Sequence, residues 1–243
     1  VLNRYLIDAR RDENLDALAA LPLFMAVRAA IRAKVTAARR EHAKDRAAAE
    51  QSARDYFALA RQLIAPAKPK LIAVGGLSGT GKSLLARTLA ADIAPAPGAV
   101  VLRSDVERKA LFGVDETERL PQEGYSTEAT AKVYATLAQK ARRVIAAGHS
   151  AVVDAVFARA DEREMIARAA EGVAFHGLFL TADLAVRTAR VGGRTGDASD
   201  ADASVARSQE TYDLGRLDWS EVDASGTPEE TLQRAKEKLV AND

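Results

Sequence analysis

The sequence contains no cysteine among its 243 residues, so disulfides and thiolate chemistry are excluded. It also lacks an uninterrupted run of about 18 apolar residues, and Val1-Leu2-Asn3-Arg4 does not open a signal peptide, so no membrane contact and a cytoplasmic setting are expected. Neither sign of charge is in surplus: 35 Lys+Arg face 34 Asp+Glu, and a net charge of +1 argues against a nucleic-acid partner. No N-K-x-D segment is present to read guanine, and no constellation for proteolytic, redox or zinc chemistry appears.

What is present is ordinary soluble-protein material, 48% hydrophobic and 28% charged, enough for one large core or a core with an appendage. The charge is unevenly spread, with 12 Lys+Arg against 8 Asp+Glu in residues 1–65 and 23 against 26 in the remainder. Because the chain opens on Val1 rather than methionine, it is expected to be a fragment or processed product without its upstream portion. Glycine is absent from Pro22 to Ile64, while Phe24, Val27, Ile31 and Val35 recur at three-to-four spacing, which predicts an amphipathic helix followed by a second over 47–64. The mixed-sign run from Arg39 to Arg46 reads as a solvated face and permits one long helix or two joined by a tight turn. Ala65-Pro66-Ala67-Lys68-Pro69 then interrupts the helix, so a helical segment 1–65 and a second domain 66–243 are expected.

After that linker the pattern alternates. Strands are predicted over 70–75, 99–103, 150–154, 173–181 and 219–223, and helices over 82–93, 126–147, 160–171, 182–191, 202–214 and 228–240. This is an α/β pattern, a five-stranded parallel sheet flanked by helices. Ser126 should cap one helix, and Thr227-Pro228-Glu229-Glu230 forms a capping box with proline in the first turn of the last.

Between the first of these strands and the first helix stands Gly76-Leu77-Ser78-Gly79-Thr80-Gly81-Lys82-Ser83, which satisfies G-x-x-x-x-G-K-[ST] in a strand–turn–helix context. The glycines let successive N–H groups turn inward onto phosphate oxygens, Lys82 reaches the β- and γ-phosphates, and Ser83 ligates Mg²⁺. The helix that follows, with Leu84 in its first turn, adds the positive end of its dipole. ATP is favoured over GTP.

Phosphoryl transfer further requires an aligned acceptor hydroxyl and neutralised charge. Asp105 and Asp154 stand at the carboxyl ends of the second and third strands, where ligands of open parallel sheets bind. Asp154 reads as the water-mediated Mg²⁺ partner or else as a helix cap. Asp105, with Arg108 one turn later, would take or orient a hydroxyl proton while the arginine holds the acceptor; an N-cap with an i,i+3 ion pair is the alternative. Arg187, Arg190 and Arg194 recur at about one turn and lead into the glycine-rich run Val191 to Asp197. They read as a lid closing over the nucleotide, or as a solvated cationic face. His149 and His176 read as packing or surface residues, Trp219 and Tyr212 as core or interface aromatics. The charge of Arg108 and Arg119 suits an anionic sugar acid or nucleotide better than a cationic aminoglycoside.

Four segments carry a family pattern: the glycine-rich loop, Arg103-Ser104-Asp105-Val106-Glu107-Arg108-Lys109, Val152-Val153-Asp154-Ala155-Val156-Phe157, and Asp197-Ala198-Ser199-Asp200-Ala201 followed by Arg207 and Gln209. Together they resemble the bacterial predicted P-loop kinase family, related to gluconate kinases, zeta toxins, chloramphenicol phosphotransferases and polynucleotide kinases. The resemblance covers about residues 70–241 and implies a P-loop NTPase fold with a nucleoside-monophosphate-kinase-like sheet, a lid, ATP, Mg²⁺ and a small-molecule hydroxyl acceptor. By position it assigns Gly76, Leu77, Ser78, Gly79, Thr80, Gly81, Lys82, Ser83, Leu84 and Arg187 to the nucleotide. Lys82, Asp105, Arg190 and Arg194 go to catalysis, Asp105 and Arg108 to the acceptor, and Ser83 and Asp154 to the metal. Transfer to a nucleotide sugar or a polynucleotide 5′-hydroxyl, and an ATP-operated regulatory module without a separate acceptor, are the other readings. Residues 1–65, above all Leu21-Pro22-Leu23-Phe24 to Arg32-Ala33-Lys34-Val35, resemble the closing helices of an aminoglycoside-phosphotransferase-like domain fused ahead of such kinases, which implies packing against that upstream domain.

Overall fold

Alternation along Lys70–Gly76 sends Leu71 and Ala73 to one side of a strand and Ile72 and Val74 to the other, and all four are fully buried. A strand buried on both faces demands helices on both faces. In the computed structural model, which describes residues 1–40, 43–193 and 198–241, this run is β1 at the centre of a sheet. The other strands are β2 (Val100–Arg103), β3 (Ala151–Asp154), β4 (Ala174–Thr181) and β5 (Ser220–Asp223), every pairing is parallel, and the order is β2-β3-β1-β4-β5. The carboxyl ends of β1, β2 and β3 therefore lie side by side, with Arg103 opposite Asp154 and Asp154 opposite Val74 in register.

The helices, in chain order, are α1 (Leu2–Ala9), α2 (Glu13–Asp16), α3 (Leu21–Ala38), α4 (Arg46–Ile64), α5 (Lys82–Asp92), α6 (Ser104–Leu111), α7 (Thr127–Ala146), α8 (Ala160–Arg168), α9 (Leu184–Gly192), α10 (Ala203–Ser208) and α11 (Pro228–Val240). Leu85, Leu89, Ala235 and Leu239 from α5 and α11 cover the Ile72 face, and Val133, Leu137, Ala141 and Ile166 from α7 and α8 cover the Leu71 face. Ser126 caps α7 by accepting from the Ala129 N–H at 3.2 Å, and Thr227 and Glu230 form the expected reciprocal box on α11. Gly177 on β4 is required by a close approach, because a Cβ there would lie 2.4 Å from the Trp219 ring.

Three departures from the sequence pattern matter. Helix α6 begins directly at the end of β2, so Asp105 is the second residue of a helix rather than the close of the strand or an N-cap. The helix expected over 202–214 stops at Ser208 and tightens into a 3-10 turn, Gln209–Thr211, which swings Gln209 back toward the glycine-rich loop. The first twenty residues are not part of a separate helical segment, since Leu15 and Leu18 are buried in the main core with Leu71 and Val153. Each such leucine contributes roughly 1.5–3 kcal/mol. Asn3 of α1 also satisfies the edge of β2, donating to the Ala99 carbonyl at 3.1 Å and accepting from the Val101 N–H at 2.8 Å.

Helices α3 and α4 form a hairpin, capped at Asp45, whose side chain accepts from the Ala48 N–H. Its interior is small: Ala26, Ala29, Ala60 and Leu63. The stripe Phe24, Val27, Ile31 and Val35 faces the opposite way and is exposed. Alanine at 26, 29 and 33 lets the helices approach closely, which turns the larger side chains outward. Although no uninterrupted apolar run exists, the helical stretch Glu13–Ala38 reaches a mean hydropathy of 1.5 and is by length and composition able to cross a membrane; only 22% of that window is buried.

His149, fully buried at the start of β3, is held by burial below the ordinary imidazole value. The unfolded chain thus takes up this proton first, so the stabilisation is complete above the ordinary histidine pKa and is lost as pH falls below it. Urea midpoints measured from about pH 7.5 down to about pH 5.5 should decline, and the decline should be shallower in His149→Leu. Equal slopes would assign the proton uptake elsewhere.

Candidate active site

The turn from β1 into α5 is made by Gly76, Gly79 and Gly81, with φ of 133°, 87° and 93°. Gly79 is fixed by space as well as by φ, since a Cβ there would lie 2.4 Å from the Arg187 carbonyl oxygen. Within the loop, the Thr80 hydroxyl and Lys82 Nζ both donate to the Leu77 carbonyl, at 2.8 and 3.0 Å. Lys82 is thereby folded back over the concave side of a turn at the amino end of α5, where backbone dipoles favour an anion. Leu84 differs from its assignment: its side chain is exposed and lies outside the cleft lining, and its N–H is engaged by the Gly81 carbonyl.

Beside the loop the strand ends bring four groups together. Asp154, 4% exposed, accepts from Arg103 Nε at 3.2 Å, and Arg103 Nη2 donates to Ser83 Oγ at 3.1 Å. A guanidinium thus stands between the two oxygens assigned to a metal. A carboxylate and a hydroxyl are hard oxygen donors of the kind Mg²⁺ takes, and the remaining ligands would have to be nucleotide oxygens and water, since no cluster of three His, Cys, Asp or Glu occurs among the described residues. Asp154 caps no helix, because α8 starts at Ala160 with Arg159 before it. Asp105 sits in the same recess, its pKa raised first by burial and then by the neighbouring Asp154, against the opposing pull of Lys82, Arg103 and a hydrogen bond from Ser199.

Arg108 makes no ion pair with Asp105. Its Nη1 donates to the Gly124 carbonyl at 2.7 Å and to Thr130 Oγ1 at 3.2 Å, and its guanidinium lies 5.2 Å from the Tyr125 ring centroid. It is buried against the wall of a cleft of about 950 Å³ that runs from the loop past Asp105 and Asp154 to Tyr125, Tyr134 and Glu162. Asp200 ties this wall together, accepting from Lys109 Nζ, the Leu120 N–H and the Tyr125 hydroxyl. Arg119 is exposed at the rim and pairs with Asp202 at 3.5 Å.

The arginines expected in a lid are dispersed. Arg187 is 2% exposed and bonded to protein: Nε donates to the Ser78 carbonyl and Nη2 to the Ala206 carbonyl, both at 2.9 Å, and Nη1 pairs with Glu210. Arg190 points away from the cleft, donating to the Ala224 and Gly226 carbonyls at 2.8 and 2.7 Å, because its place on α9 faces the turn after β5. Arg194 and Asp197 lie outside the described residues. Two residues quoted in the family segments were given no role. Arg103 was legible as a cation ending an otherwise apolar strand, whereas Gln209, inside the helix expected over 202–214, gave no signal of its contact with the loop.

The model of the family described as AAA domain, AAA_33, matches residues 71–212. Uncharacterized protein Rv2004c of Mycobacterium tuberculosis and Uncharacterized protein Mb2027c of Mycobacterium bovis are each 31% identical over 222 residues, covering 87% of this chain and 43% of theirs. The chain therefore spans less than half the length of these relatives. Among solved structures, a gluconokinase from Sinorhizobium meliloti 1021 has 22% identity and a TM-score of 0.51 over 71% of this chain and 93% of its own. The APS kinase CysC of Mycobacterium tuberculosis, in complex with AMPPNP and APS, has 21% identity and a TM-score of 0.51 over 72% and 99%. These likenesses show the α/β P-loop NTPase fold.

If Asp154 helps hold the Asp105 pKa up, Asp154→Asn should bring it down and Lys82→Met should push it further up, both followed by carboxyl-carbon NMR titration. An unchanged Asp105 titration in both variants would place it outside this charge cluster.

Proposed function

We propose that this chain, which belongs to the AAA_33 family of AAA domains, is an ATP- and Mg²⁺-dependent phosphotransferase that moves the γ-phosphate to a hydroxyl group of a small molecule. The observation that carries this reading is the convergence of Lys82, Ser83, Asp105 and Asp154 at adjacent strand ends around one deep cleft. The loop N–H groups and Lys82 bind and orient the phosphates. Ser83 and Asp154 would hold Mg²⁺, which when bound neutralises phosphate charge. An acceptor hydroxyl against Asp105 meets a carboxylate whose raised pKa makes it a stronger proton acceptor than an ordinary aspartate. Arg108, Tyr125 and Thr130 form the wall on which the acceptor is positioned.

The exposed stripe on α3 supports a second part of the reading, that residues 21–64 pack against a further portion in proteins as long as the relatives. Phe24, Val27, Ile31 and Val35 form an apolar face that the described residues leave exposed, while Arg32 lies 5.6 Å from the Tyr56 ring across the hairpin. With the additional portion attached, amides of α3 should exchange more slowly than in this chain alone. Identical exchange would remove this packing from the proposal.

The deciding assay is ATP consumption with Mg²⁺ across sugar acids, nucleosides, nucleotide sugars, aminoglycosides and a 5′-hydroxyl oligonucleotide. Acceptor-dependent turnover should vanish in Lys82→Ala and drop about 10²–10⁴-fold in Asp105→Asn. Since the base works deprotonated, the rate should fall as pH drops through the raised Asp105 pKa, on an acid limb above the ordinary aspartate range. Tight ATP binding without turnover on any acceptor would instead favour the nucleotide-operated module.

A further inference from the structure

Ser78 is gripped at both ends of its peptide by side chains that come from far along the chain. Its N–H donates to Gln209 Oε1 at 2.6 Å, and its carbonyl accepts from Arg187 Nε at 2.9 Å. Arg187 is itself locked by the Ala206 carbonyl and by Glu210, the residue after Gln209. The 3-10 turn Gln209–Thr211 and the glycine-rich loop are therefore one rigid piece.

This mounting fixes the Gln209 carboxamide. With Oε1 committed to the Ser78 N–H, Nε2 and its two protons must face the other way. Gln209 is 6% exposed yet lines the cleft, and its Nε2 donates to no described residue. The direction matters because Lys82, which reaches β- and γ-phosphates in loops of this pattern, has its Nζ at 3.0 Å from the Leu77 carbonyl, one residue from Ser78. Gln209 thus stands beside Leu77-Ser78, the part of the loop onto which Lys82 folds.

We propose that Gln209 is a specificity-determining residue that distinguishes nucleoside triphosphate from diphosphate, its Nε2 donating to a γ-phosphate oxygen while Oε1 stays on the Ser78 N–H. This rests on the nucleotide-binding part of the reading above. It also assigns a use to the irregular stop of α10: a continued helix would carry residue 209 on a different path, whereas the 3-10 turn returns it to the loop.

Calorimetric titration of the whole chain with AMPPNP and with ADP, each with Mg²⁺, tests it in wild type, Gln209→Ala and Gln209→Glu. The glutamate keeps the acceptor for Ser78 and the shape and replaces the donor by a charged acceptor, whereas the alanine removes the donor without adding charge. Both variants should lose about tenfold or more in AMPPNP affinity, the size of one hydrogen bond to a charged group, and the glutamate the more because it opposes phosphate charge. ADP affinity should stay within about threefold of wild type in Gln209→Glu. Equal losses for both nucleotides, or a Gln209→Glu protein that matches wild type on both, would overturn the proposal and leave Gln209 as a loop brace. Wild-type protein that binds neither nucleotide would defeat the phosphotransferase reading itself. Thermal melts of the three proteins identify any loss that comes from unfolding.

Discussion

A single buried guanidinium sets the geometry on which the site depends. Arg103 ends β2, lies in register with Asp154 on β3 and reaches Ser83 at the start of α5, so one side chain ties two strands and the glycine-rich loop. Both Arg103 and Asp154 are almost wholly shielded from water, and breaking a pair of that kind by removing one partner typically costs about 3–5 kcal/mol. The pair contributes less to net stability than to place: the arginine fixes the Asp154 carboxylate at the strand end, beside Asp105, whose pKa is raised by burial and then by this neighbour. Without such a neighbour Asp105 would be a more ordinary carboxylate. The basicity of one aspartate is thus raised first by its burial and then by a carboxylate that a cross-strand contact holds beside it.

A second tie works at the other edge of the loop. There the Ser78 peptide is bound to Gln209 and Arg187, and Gly79 leaves room for the Arg187 backbone. The loop is therefore held on one side by a strand-end cation and on the other by residues that follow β4. Such bracing from both sides keeps N–H groups pointed inward before any anion arrives, which is the electrostatic preorganisation that phosphoryl transfer exploits. It also changes what α9 is for. Arginines at one-turn spacing read as a mobile cationic face, but Arg187 and Arg190 are spent on backbone carbonyls, so the helix is the foundation of the loop.

The parts of this arrangement that rest on local rules were legible in the sequence. Glycine spacing gave the loop, four apolar runs and the short segment 219–223 gave the strands within a residue or two, and Thr227 with Glu230 gave the last helix start. Placing Asp105 and Asp154 at strand ends needed only the parallel topology. What escaped were contacts between residues far apart in the chain: Arg103 to Ser83, Ser78 to Gln209, Lys109 to Asp200. Periodicity carries no signal for a side chain whose partner lies twenty to a hundred and thirty positions away. The amphipathic helix read from Phe24, Val27, Ile31 and Val35 is present as α3, but periodicity finds an apolar stripe without saying which way it faces.

That same limitation bears on how the chain divides. A proline-rich linker at 65–69 marks where the path changes direction, yet packing does not follow it. Leu15 and Leu18 are walls of the main core, and Asn3 occupies the edge of β2 with one donor and one acceptor as a neighbouring strand would. Cutting at the linker would therefore uncover apolar surface beside β1 and expose the strand that carries Arg103. The α3–α4 hairpin, by contrast, is held mainly by its own small alanine interior and projects from the body. The packed unit that carries the strand ends is thus discontinuous, residues 1–20 together with the portion after the linker. The segment between them is an insertion in packing terms, free to carry a surface of its own without disturbing the strand ends.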